Sequence, residues 1–127
     1  MKSAPAAALL ALMIGYSDLG VANGVTSDLL IQCTEAVNAI DGIVDPMTIN
    51  FADAARCMGL VEGFGGAAGY YESKPGSPRS ICFPPESPTV GQSVRIVTEY
   101  LQNHPEQHDE SPTVLIFGAF ILAYPCT

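Results

Sequence analysis

Pro112–Thr127, PTVLIFGAFILAYPCT, is the stretch on which the fold turns. From Val114 to Ala123 it is apolar almost all round. A helix of that kind lies either at the centre of a core or in a membrane. Its length of about eleven residues falls well short of the ~20 that a span requires. Ser111 and Pro112 form an N-cap and first-turn pair, and Pro125 is a stop. The stretch therefore predicts a core helix from there to about Ala123, with Cys126 holding its far end inside a fold.

Working outward, NHPEQHDE (Asn103–Glu110) is a polar turn. Before it, Val90, Val94, Val97 and Leu101 make a helical stripe. That helix starts either at Pro88 behind Ser87, or at Thr89 with Gln92 closing a capping box. ESKPGSPRSICFPPES (Glu72–Ser87) is a loop, rich in Pro, Ser and Gly. A second helix runs from about Phe51 into GLVEGFGGAAGYY, with Phe51, Ala54, Ala55, Met58, Val61 and Phe64 on one face. Asn50 with Asp53 resembles its cap. The first helix spans about Ser27 to Asn38. Leu29, Leu30, Cys33, Ala36, Val37 and Ile40 fall at helical spacing, Thr26 or Ser27 can cap it, and DGIVDP ends it. The expectation is an all-α domain: a small disulfide-stapled bundle of about four helices.

At 127 residues the chain suffices for one domain. Thirteen acidic residues against five Lys and Arg give a formal net charge of -8. That balance argues against nucleic acid and anionic membrane surfaces, both of which need clustered cations, and suits a basic protein partner. The N-terminus reads as a secretory signal: Lys2, an apolar run Ala4–Tyr16, then Gly20 and Ala22 as small residues before a cleavage site. Residues 1–22 are thus expected to be a signal peptide and 23–127 the mature, periplasmic domain. All four cysteines, Cys33, Cys57, Cys82 and Cys126, fall in that domain, and none sits in a CxxC. An even number in an exported chain implies a disulfide framework. Three pairings are open, and spacing alone does not choose. Helix order favours one without fixing it, Cys33–Cys57 with Cys82–Cys126: two helices joined by a short turn lie antiparallel. Cys33 then comes level with Cys57, and Cys82 with Cys126.

No catalytic constellation emerges. His104 and His108, beside Glu106, Asp109 and Glu110, have ligand-type side chains, but Pro105 interrupts the helical spacing that a metal site there would use. GQSVR around Ser93 lies in a helix, not on a strand-to-helix elbow. The glycines after Met58 have no preceding strand and no following GK[ST], so they do not make a phosphate loop. No enzyme activity, metal or cofactor is expected. NHPEQHDE and YYESKPGSPR are instead recognition segments on a cross-linked scaffold.

From Ile81 to Cys126 the sequence resembles the C-terminal half of the Rap/Tai family of immunity proteins. The pattern is carried by Cys82, Pro84, Thr89, Gln92, Val97, Tyr100, Leu101, His104, Pro105, Ala119, Pro125 and Cys126. Upstream, CMGLVEGF at Cys57 and LLIQC at Cys33 resemble the family's earlier helices. The order SPTV and the lengthened glycine run after Gly63 depart from the pattern. The resemblance implies an all-α periplasmic domain, often a homodimer. It also implies a partner, a peptidoglycan amidase effector delivered by type VI secretion, whose active site the immunity protein occludes. Glu106, His108, Asp109 and Glu110 are the expected partner contacts, with Tyr70 and Tyr71 as aromatic anchors. A different class, an acid-activated periplasmic chaperone, is the alternative: neutralising the carboxylates at low pH would loosen the domain and expose apolar surface.

Overall fold

A computed structural model describes residues 25–127; the expected signal peptide and its cleavage site lie outside them. Four helices follow in order: α1 Val25–Asp41, α2 Phe51–Glu72, α3 Val90–Asn103 and α4 Pro112–Ala123. Two 3-10 turns, Pro46–Thr48 and Pro105–Gln107, lie between helices, and the described residues hold no strand. The all-α expectation holds.

The helix ends follow local chemistry. Asn50 caps α2, its side-chain oxygen accepting from the Asp53 amide at 3.2 Å. Thr89 caps α3 and forms the full capping box with Gln92, which settles the two alternatives for that start. Ser111 caps α4 with Pro112 in the first turn. α1 outruns its expected limits: Thr26 and Ser27 lie inside it, and it ends only at Gly42, whose φ of 63° suits the left-handed residue after a helix. α2 likewise passes through all five of its glycines to Glu72 and so includes Tyr70 and Tyr71.

Both disulfides have the expected partners. Cys33 joins Cys57 across the α1–α2 pair, and Cys82 joins Cys126, each with a Cα–Cα distance of 5.0 Å. The first bond sets the rotation of α2. Its buried row is Ala54, Cys57, Val61 and Ala68, whereas Phe51 and Ala55, expected on the core face, are exposed. A residue must stand beside Cys57 on the α1 side to be buried, and those two do not. On α1, Leu29, Cys33 and Ala36 are buried, while Ile40 is 37% exposed. α3 buries Val94, Val97 and Leu101 from its expected stripe. The Arg95–Asp41 ion pair links α3 to the end of α1, a half-exposed contact of small energetic weight.

The connector between α2 and α3 is anchored, not loose. Ile81 is buried. The Cys82 amide donates to the Tyr124 carbonyl at 2.9 Å. The Phe83 ring packs against Phe120 at 5.6 Å and Tyr124 at 5.2 Å between centroids. The Glu72 carboxylate accepts from the Ser80 amide at 2.9 and 3.0 Å.

α4 corrects one expectation. It is not central to the core. Leu115, Ile116, Ala119 and Phe120 are buried, but Val114, Ile121 and Leu122 on the other side are 50%, 42% and 66% exposed. Among the described residues no further layer covers that side. Where α3 and α4 approach, Gly118 makes room for Tyr100: a Cβ there would stand 2.7 Å from the Tyr100 hydroxyl and 3.1 Å from Cζ.

Three variants test this packing through stability. Gly118→Ala should lower it in urea unfolding by about 1–3 kcal/mol from overpacking, offset in part by about 1 kcal/mol of helix propensity. Gly63→Ala, where a Cβ meets nothing within 4 Å, should instead gain up to ~1 kcal/mol. A Gly118→Ala protein as stable as Gly63→Ala would overturn the packing account. The Cys82→Ser/Cys126→Ser double variant should lose about 3–4 kcal/mol, and trypsin should cut after the exposed Arg79 far faster than in the parent.

Candidate functional site

The turn between α3 and α4 is built to be rigid. An α-helix leaves its last four carbonyls without helical partners, and at the end of α3 the turn's side chains take up two of them. His104 Nδ1 donates to the Tyr100 carbonyl at 2.8 Å, and His108 Nε2 to the Leu101 carbonyl at 2.9 Å. A carbonyl can only accept, so those ring nitrogens carry the protons. The Tyr100 hydroxyl bonds to Gln107 Oε1 at 2.6 Å, and its ring stacks on His104 with centroids 4.1 Å apart. Main-chain bonds from Gln107 to His104 and from Glu110 to Gln107 close the loop upon itself.

This framework leaves Glu106, Asp109 and Glu110 exposed. None has a salt-bridge partner among the described residues. His108 differs from the three: it is half-buried and serves the turn's own hydrogen bonding. The result is a fixed anionic knob, with its carboxylates in solvent and its backbone already ordered.

Tyr70 and Tyr71 stand elsewhere. They are 61% and 63% exposed at the C-terminal end of α2. Their rings meet edge to face at 5.5 Å, with the Lys74 ammonium 4.6 Å from the Tyr70 centroid. The preceding Gly69 shares a cavity with Ser87, Pro88 and Val90 at the start of α3. The acidic turn follows the other end of that helix. The two groups are therefore separated by the length of α3, roughly 20 Å at the α-helical rise, and do not form one compact site.

The arrangement suits binding. All four cysteines are in disulfides, and one ring nitrogen of each histidine is engaged by a main-chain carbonyl. Among the described residues no three His, Cys, Asp or Glu side chains gather as a metal site would require. No described helix is long and apolar enough to cross a membrane.

Two apolar surfaces escaped the sequence reading. One is the outward side of α4. Its signal was present, since a helix apolar all round exceeds what three neighbours can cover. The other is the connector after α1, where Ile43 and Met47 are 84% and 90% exposed. That segment had registered only as a helix break.

Comparison with known proteins agrees with this picture. The family model of the Rap1a immunity proteins matches residues 26–126, nearly the whole described chain. Searches of curated proteins and of solved structures return no match. With four helices, two disulfides and a family match over both helical pairs, the chain belongs to the Rap1a immunity proteins.

Proposed function

We propose that the protein is a periplasmic immunity protein that binds a peptidoglycan amidase effector delivered by type VI secretion and blocks its active-site cleft without catalysis. Family membership supports binding to a secreted effector. The two disulfides fit an oxidising compartment, in keeping with the signal-like N-terminus. The observation that carries the reading is the anionic turn, ordered before any partner arrives. A preorganised projection loses little conformational entropy on docking, and its charge speeds encounter with a basic cleft. Glu106, Asp109 and Glu110 are its leading contacts, with His108 holding the turn in shape. Tyr70 and Tyr71 provide a second, separate contact region.

The test is rescue from toxicity. Periplasmic expression of candidate amidases, including any encoded beside this gene, should kill a test bacterium, and co-expression of the exported protein should prevent it. The triple variant Glu106→Gln/Asp109→Asn/Glu110→Gln should weaken binding by about tenfold or more and flatten its salt dependence. Unchanged affinity in that variant would remove the turn from the interface. The acid-activated chaperone alternative predicts activity on unrelated proteins at low pH only.

The homodimer implied by the family resemblance would use that side. Val114, Ile121 and Leu122 give it an apolar seam on a helix that itself carries no charged residue. Leu122→Glu should convert dimer to monomer in sedimentation while leaving the helical circular dichroism intact. A monomeric parent would dispose of the dimer.

A further inference from the structure

Between the C-terminal half of α2 and the start of α3 lies a cavity of about 330 Å³ that the acidic turn and the α4 seam do not touch. Glycines form its α2 side: Gly65, Gly66 and Gly69. A Cβ on Gly66 or Gly69 would meet nothing within 4 Å. The fold therefore gains no packing from those two glycines, and each costs α2 about 1 kcal/mol against alanine. Phe83 supplies an aromatic wall.

Three polar side chains line this space, Glu62, Ser87 and Ser93, and two of them matter here. Ser93 is only 7% exposed and lines the cavity. Its hydroxyl makes no hydrogen bond among the described residues and is open to solvent through the cavity, whereas the Thr98 hydroxyl donates to the Val94 carbonyl at 2.7 Å. An accessible hydroxyl that no protein group engages can bond a group entering the cavity. Glu62 stands one helical turn from Gly65 and Gly66, exposed at the mouth and without an ion pair among the described residues.

We infer that this cavity receives an arginine side chain of a protein partner. The apolar stem lies along the glycines, and the guanidinium reaches both Ser93 Oγ and the Glu62 carboxylate. Five N–H donors on a planar head can satisfy a hydroxyl and a carboxylate together. An aromatic wall adds attraction for a cation. A chain of net charge -8 favours the approach of such a group. The inference rests on the proposed function only for the nature of the partner. The site itself can be tested without an effector.

The probe is N-acetyl-arginine amide, titrated into the ¹⁵N-labelled mature protein, with N-acetyl-leucine amide as the uncharged control. Saturable shifts should concentrate at the amides of Gly65, Gly66, Gly69 and Ser93. Glu62→Gln should weaken binding by roughly threefold or more, the scale of one exposed ion pair. Gly66→Leu should abolish the shifts with no loss of thermal stability, because its side chain enters open space. Equal response to the leucine probe, shifts spread over the Glu106–Glu110 turn, or no localised shifts would each overturn the site. Arginine binding without protection from any amidase would instead leave the site standing and count against the proposed function.

Discussion

Everything beyond the first helical pair depends on how the α2–α3 connector is tied to the end of α4. Cys82 is bonded twice to that end, through its sulfur to Cys126 and through its amide to the Tyr124 carbonyl. Phe83 then fills the angle between Phe120 and Tyr124. These contacts fix where α3 begins. α3 is a rigid rod, so they also fix where it ends, and hence where the acidic turn projects. A covalent tie at one end of the domain thus orients the surface at the other. Without it, a connector this rich in Pro, Gly and Ser would leave α3 held only by its own buried face, Val94, Val97 and Leu101.

The order within the turn comes from a different source. Its histidines serve the α3 carbonyls, and Tyr100 spans from the α4 contact at Gly118 to Gln107. Polar side chains that look like ligands or catalysts in the sequence are spent on main-chain hydrogen bonds. Only the carboxylates are left over for a partner. Three exposed carboxylates within one five-residue turn suit a cationic surface.

Helix count, caps and disulfide partners were legible in the sequence because each rests on local or pairwise chemistry. Asn50 with Asp53 and Ser111 with Pro112 needed no tertiary information; Thr89 with Gln92 was one of two open starts for α3, and the Cys33–Cys57 pairing needed only the antiparallel order of two helices. The rotation of α2 was not legible. Periodicity placed Phe51 and Ala55 on the core face, and the Cys33–Cys57 bond turned that face elsewhere. The reach of α2 through Gly59, Gly63, Gly65, Gly66 and Gly69 was also hidden, since propensity argues for a break and only packing by Val61 and Ala68 overrides it. The turn's carboxylates were visible as charges. Their separation from Tyr70 and Tyr71 became visible only once α3 lay between them.

That glycine-rich half of α2 has a consequence for motion. Its helical state is borrowed from its neighbours, because five glycines within 22 residues leave little intrinsic preference for it. Such a segment is the natural first unit to open in local unfolding. It carries Tyr70 and Tyr71, and through the Glu72 carboxylate it holds the Ser80 amide of the connector. The two ends of the domain therefore differ in kind: a stiff projection at the acidic turn, and a pliant surface at the tyrosines that can adapt its shape to what it meets.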